Sequence, residues 1–476
     1  MVSNRPVSAI ILSSAMVCSA SVLWAQDATK QDLDRQYQTA VSDYESGRYA
    51  DAAGRLEKVL PYAGSSPVVH ELLGLVYASL SQPDKAVDQL KIAAQLKPDW
   101  LEARTNLGTA LLHAGKSELA GEQFRKALSL DPAGYDTNHN LGEFYAQSGK
   151  LADARPLLEL ARAASPGSYE NTYDLAMTDF LLGRNDEART LVLDLIKQKD
   201  AGELHNLLGQ ISEKDGKYVE AANEYERAAH LDPSEDNLFY WGSEMLLHRT
   251  YDPAITIFQE AARHYPKSPR ILIGLGLSLY SRGKYDEAVN AFLAAVAINP
   301  ADPRAYVFLS KAYNSSPLQA EEVVQAFHRY ADLQPNNALA QYYYAVSLWK
   351  GKRTANTTVD QLAVEKLLLK SVSLDDSLAE AHVQLGNLYA DQHKYDKSIP
   401  QYVRALQLDQ NLADAHYRLG TDYVHIGQRE NAQQEFSIYQ KLRAQHLDEV
   451  EKERAAVQQF VLGAKSDASA PSDRTN

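Results

Sequence analysis

Residues 101–134 read LEARTNLGTALLHAGKSELAGEQFRKALSLDPAG, and this stretch decides the fold. Ala120, Phe124 and Ala127 follow one another at spacings of four and three, which places them on one face of a helix. Gly115 marks the end of the helix before them, and Pro132 stops the helix that carries them. The stretch is therefore a pair of antiparallel helices. Gly108 and the two alanines are the small residues that let the paired axes approach, and Phe124 fills the wider gap between them.

The same unit recurs along the chain. Pro98, Pro132, Pro166, Asp200, Pro233, Pro266, Pro300 and Pro335 are 34, 34, 34, 33, 33, 34 and 35 residues apart, and Asp376 and Gln410 continue the phase after one wider step of 41. A large residue followed by a small one recurs at Leu73-Gly74, Leu141-Gly142, Leu208-Gly209, Trp241-Gly242, Leu275-Gly276, Leu385-Gly386 and Leu419-Gly420. Twelve positions after the small residue come Ala86, Ala154, Ala221, Ala254, Ala288, Ser398 and Ala432. Tyr225, Phe258, Phe292, Tyr402 and Phe436 hold the place of Phe124. A fixed period of this length means stacked repeats, each burying its apolar face against its neighbours.

The pattern resembles the tetratricopeptide repeat, a helix-turn-helix unit of about 34 residues. The resemblance covers residues 33–446 as twelve units: 33–66, 67–100, 101–134, 135–168, 169–201, 202–234, 235–268, 269–302, 303–337, 338–378, 379–412 and 413–446. It implies an all-α fold, an α-solenoid superhelix of about twelve antiparallel helix pairs. Asn314-Ser315-Ser316-Pro317 replaces the usual turn of the ninth unit. The wider step puts extra residues around Gly351 to Thr358 as a polar loop, so the register is least regular over 303–376. Leu447, Val450, Val457 and Val461 recur at helical spacing, and 447–464 reads as a capping helix. Residues 465–476 are polar and read as a disordered tail.

The chain of 476 residues carries 48 Lys plus Arg against 62 Asp plus Glu, a net charge of −14, which opposes broad electrostatic capture of nucleic acid or of an anionic bilayer. Residues 1–25 differ from the rest: Arg5 is the one charge before Asp27, Val7 to Leu23 is apolar and small, and Leu23-Trp24-Ala25 offers a cleavage point. This reads as a signal peptide followed by a short leader, 26–32. The mature chain is then exported, periplasmic or secreted, and has no transmembrane span. The one cysteine, Cys18, lies inside the signal and follows Val17 rather than a small residue, which argues against lipid attachment.

No motif calls for catalysis. The nearest approach to a phosphate loop, Ala110 to Ser117, lacks its first glycine, and its Gly-Lys recurs at Gly149-Lys150, Gly216-Lys217 and Gly283-Lys284 as the turn between paired helices. The thirteen histidines form no HExxH pair, and His382 and His416 stand 34 apart, which makes them surface or groove residues of successive repeats. Asp34, Glu102, Asp136, Glu170, Glu203, Asp236, Glu380 and Asp414 all occupy the second place of their unit, facing the positive end of a helix. The expectation is a non-enzymatic chain without cofactor or metal.

In the family that the chain resembles, the first helix of each unit lines a concave groove, and positions 2, 5, 6, 9, 12 and 13 point into it. Carried over, these positions yield two features. Arg270 and Arg304, at position 2 of successive units, could with Lys311 hold an acidic partner group, or pair with acids of the chain itself. Phe239, Tyr240, Phe308, Tyr342, Tyr343 and Trp349 form an aromatic stretch suited to anchoring a peptide, unless they are core. Asn106 and Asn140 repeat at position 6 as the start of an asparagine ladder, whereas no unit supplies the Lys and Asn clamp that some members use for chaperone termini: Val383 accompanies Asn387, and Thr105 accompanies Thr109. The resemblance implies a scaffold for protein or peptide partners in a membrane-associated envelope complex. The alternative is a carbohydrate- or small-ligand-binding accessory subunit of an envelope or polysaccharide export complex.

Overall fold

The structure, a computed structural model, describes residues 28–315, 319–354 and 360–444, together with Ala455, Gln458 and Val461. The expected signal peptide, the tail and most of 447–464 lie outside the described residues. Among those described the chain forms 24 helices and no strand.

The first helices of the pairs are α1 (Ala28–Glu45), α3 (Pro67–Ser79), α5 (Leu101–His113), α7 (Tyr135–Gln147), α9 (Tyr169–Leu181), α11 (Gly202–Lys214), α13 (Glu235–Leu247), α15 (Pro269–Ser281), α17 (Pro303–Ser315), α19 (Ala338–Thr354), α21 (Ala379–Asp391) and α23 (Ala413–His425). The second helices are α2 (Tyr49–Ala63), α4 (Pro83–Leu96), α6 (Ser117–Leu130), α8 (Leu151–Ala164), α10 (Asn185–Gln198), α12 (Tyr218–Leu231), α14 (Tyr251–His264), α16 (Tyr285–Ile298), α18 (Ala320–Leu333), α20 (Gln361–Leu374), α22 (Tyr395–Leu408) and α24 (Arg429–Ala444). From α3 onward every first helix starts at the residue that the period assigns. Helix α1 instead begins at Ala28, inside the stretch expected to be a leader, because no Gly or Pro interrupts 28–45 and Asp32 pairs with Arg35 one turn on. Asp34 is thereby moved out of the first turn, and its reading as a helix-dipole partner does not hold. The chain divides into two compact units, one ending at Gly216 and one beginning at Lys217.

Turn chemistry closes each pair. Gly47, Gly115, Gly149, Gly183, Gly216, Gly283 and Gly427 have φ between +69° and +86°, the left-handed region that glycine enters without cost. At Gly115 the N–H donates to the Leu112 carbonyl at 2.9 Å and the Lys116 N–H to the Leu111 carbonyl at 2.8 Å, so the last carbonyls of α5 are satisfied. The Gly-Lys sequence is thus a helix-to-helix turn.

Within a pair the small residue of the first helix lies under a large one of the second. A Cβ on Gly276 would stand 2.5 Å from the ring of Phe292, and one on Gly108 or Gly386 would stand 2.6 Å from Phe124 or Tyr402. Ala288 is fully buried beside Phe292. Ala288→Leu should overpack this crossing and cost about 1–3 kcal/mol. A urea midpoint unchanged from the wild type would refute that.

Position 4 of the first helix ties successive units together. His70, His382 and His416 each bond the backbone carbonyl six residues back (Gly64 at 3.0 Å, Asp376 at 3.2 Å, Gln410 at 3.0 Å) and, through the other ring nitrogen, a side chain nineteen residues on, Gln89, Gln401 or Glu435. Arg104 fills the same place, donating to the Pro98 carbonyl at 2.7 Å. These histidines are buried staples rather than the surface or groove residues expected.

In the ninth unit Tyr306 takes position 4, donating its hydroxyl to the Pro300 carbonyl at 3.2 Å, and it stacks on Tyr330 at 4.1 Å with Phe327 tilted against it at 5.7 Å, while Ser310 is the small residue of the pair. Helix α19 continues to Thr354, so residues 351–354 are helical where a loop was expected. Lys352 and Arg353 are good helix formers and suit the negative end of a helix.

Candidate protein-binding face

Inner positions 5 of the first helices are closed along most of the chain. Glu71, Thr105, His139, Tyr173, Asn206, Phe239 and Ile273 are each at most 8% exposed. Further on the face opens: Tyr342 and Val383 are half-buried, and Tyr417 is 48% exposed. At position 9 Asn387 and Thr421 are half-buried, whereas Leu277 and Val346 are enclosed. The open stretch carries aromatic rings on a rigid support. Tyr417 rests on Phe436 and Tyr439, centroids 5.8 and 5.2 Å away, and Tyr342 packs against Tyr343 at 5.4 Å. Burial, helped by the Glu380 carboxylate, pushes the Tyr342 hydroxyl above its ordinary range, so it stays a neutral donor. Asn387 accepts a bond from the Tyr402 hydroxyl at 2.8 Å, which fixes the orientation of its amide.

The residues expected to line a groove separate into four sets. The two arginines are held by the chain's own acids. Arg270 donates to Glu235 at 2.5 Å and to Asp236, with its guanidinium 5.1 Å from the centre of the Phe239 ring. Arg304 donates to Asp302 at 2.8 Å. Both acids of Arg270 lie one repeat upstream, a signal the sequence already carried, since stacking sets residues about 34 apart side by side. Phe239, Phe308 and Trp349 are core. Phe239 is fully buried against Phe258, Phe308 stacks on Phe292 at 6.1 Å, and Trp349 lies in a cluster with Ala345, Leu368 and Leu385. Lys311 and Tyr342 remain half-buried.

The asparagines belong to a buried polar column in the first unit. The amide of Asn106 donates to Glu71 Oε1 at 2.6 Å, and Asn140 is 2% exposed. Glu71 Oε2 and the Tyr37 hydroxyl are buried without a hydrogen-bond partner among the described residues. Burial pushes the Glu71 carboxyl from its ordinary 4.5 up to about 7, with Glu102 adding to the shift and the Asn106 amide opposing it. His139, bonded to Asn171 at 3.2 Å, is held below its ordinary value by burial and is neutral. Sequence reasoning found Asn106 but missed Glu71, because nothing local marks position 5 of that unit as closed.

Rows of antiparallel helix pairs, each resting on its neighbours and offering an inner face, define a helical-repeat scaffold for protein interaction. The chain belongs to the tetratricopeptide repeat family. Models described as tetratricopeptide repeat match residues 37–99, 71–135, 105–169, 145–211 and 248–303, and one described as TPR repeat matches 386–424. No curated protein matches the chain. Among solved structures it is similar to a tetratricopeptide repeat protein from Parabacteroides merdae (16% identity over 52% of this chain and 99% of that one, TM-score 0.43). It is also similar to PilF of Pseudomonas aeruginosa (20%, 44% and 95%, TM-score 0.39) and yeast Tom70 (16%, 88% and 96%, TM-score 0.34). Among the described residues no helix is long and apolar enough to cross a membrane.

Proposed function

We propose that this chain is a non-catalytic, exported scaffold of the cell envelope that binds a segment of a partner protein along the inner face of its tenth to twelfth repeats. The observation that carries the reading is the opening of that face: position 5 is closed from the second to the eighth repeat, half-buried at Tyr342 and Val383, and exposed at Tyr417. Rigid aromatic rings lose little conformational freedom on binding and are the usual anchors of protein interfaces. The composition of residues 1–25 supports export.

The test is affinity purification of residues 26–476 from the cell envelope after mild crosslinking, with Tyr342→Ala plus Tyr417→Ala as the comparison. A partner protein recovered by the wild type should bind the double variant at least about tenfold more weakly. Equal recovery by both would remove this face from the interaction.

A further inference from the structure

Glu102, Asp136 and Glu170 stand at position 2 of α5, α7 and α9, the first half-buried and the other two exposed. Position 2 is thus open where position 5 is closed. Burial raises the carboxyls of Glu71 and Asp136, and the Glu102 charge adds to both shifts. Burial lowers His139, against the pull of Glu170 and Asp136. The three acids therefore lie within electrostatic reach of Glu71 and His139, both at position 5, which sets them in a row along the inner side. Among the described residues none of the three has an ion pair, and the His139 between them is neutral. Farther on the same place is balanced, since Asp236 is met by Arg270 of the next repeat. A helix dipole favours an acid at the start of its own helix, but it does not offset the repulsion along such a row.

At the head of the row the chain holds an unmet acceptor. Glu71 is fully buried; its Oε1 takes the Asn106 amide, and its Oε2 has no hydrogen-bond partner. The Tyr37 hydroxyl, raised by burial and then by the Glu71 charge, is also without a partner, in a residue 7% exposed. The Glu71 carboxyl thus stands between Tyr37 of α1 and the pair Glu102 and Asn106 of α5. What this end of the row lacks is a positively charged donor.

We propose that the inner face of the second to fifth repeats is a docking site for a basic segment of a partner protein, whose lysine or arginine side chains pair with Glu102, Asp136 and Glu170, with Glu71 as the buried acid beneath the first of these cations. The site is separate from the face at Tyr342 and Tyr417, so either reading can fail alone.

The test measures binding of a labelled octalysine peptide to the full chain by fluorescence anisotropy, at low salt and about pH 8. Glu102→Gln plus Asp136→Asn plus Glu170→Gln should weaken binding at least about tenfold. The same number of neutralisations at exposed acids of α6 and α8, Glu118→Gln plus Glu122→Gln plus Asp153→Asn, should weaken it less than about twofold. Glu71→Gln, which keeps an acceptor for Asn106, should weaken it about threefold. Tyr342→Ala plus Tyr417→Ala should leave it unchanged. Equal losses in the two triple variants would reveal attraction by net charge alone and overturn the proposal, as would no binding to the wild type. Full affinity in Glu71→Gln would remove Glu71 from the site.

Discussion

Phe292→Ala is expected to destabilise the second unit by about 3–5 kcal/mol, the cost of removing an enclosed aromatic ring and leaving its cavity. Phe292 is fully buried, lies over Gly276, and stacks on Phe308 at 6.1 Å, so its loss empties the crossing within one pair and loosens the contact to the next. Repeats are stabilised mainly by their neighbours, so the effect should spread to the amides of α15, α16 and α17 in hydrogen exchange. A loss under about 1 kcal/mol would show that the pair does not depend on the ring. A double-mutant cycle sharpens the point. Gly276→Ala alone places a Cβ 2.5 Å from the Phe292 ring and should destabilise. In the Phe292→Ala background that clash is gone, and the same change should stabilise by about 0.5–1 kcal/mol through helix propensity. The sign reversal is the signature of glycine kept for close approach.

The second large effect concerns Glu71 and depends on pH. Its carboxyl is raised from 4.5 to about 7 in the folded chain, by burial first and by Glu102 second. A raised carboxyl holds its proton more tightly in the folded state than in the unfolded one. Stability is therefore full below pH 4.5 and falls as pH rises toward 7, by about 3 kcal/mol for this group alone, then levels off. Glu71→Gln keeps an oxygen to accept from Asn106 and removes the titration. It should stabilise the first unit by about 2 kcal/mol at pH 8, allowing for the extra buried amide, and change little at pH 4. Urea denaturation at both pH values checks this. Equal effects at pH 4 and pH 8 would show that Glu71 does not titrate in this window.

Much of the architecture was legible because it is repetitive and local. The spacing of Gly276, Ala288, Phe292 and Ala295 follows from helix geometry, and the glycines of the turns follow from the backbone angles those turns need. The candidate site was legible only in part. Tyr342 sits on the open face, but Arg270 and Arg304 were captured by their own acids, and Phe239, Phe308 and Trp349 turned inward to the core. The staple at position 4 was not legible, because His70, Arg104 and Tyr306 reach the carbonyl six residues back with different side chains.

By itself the sequence determined that the chain is a stack of helix pairs, where from the second pair on each first helix begins, and which small and large residues meet within a pair. These depend on residues within one period, whose separation in the chain sets their separation in space. Only the tertiary structure decided which inner positions are open to a partner. That depends on how closely neighbouring first helices approach and on Glu71 meeting Asn106 one repeat on. Exposure is a property of everything packed around a side chain, and no local spacing encodes it.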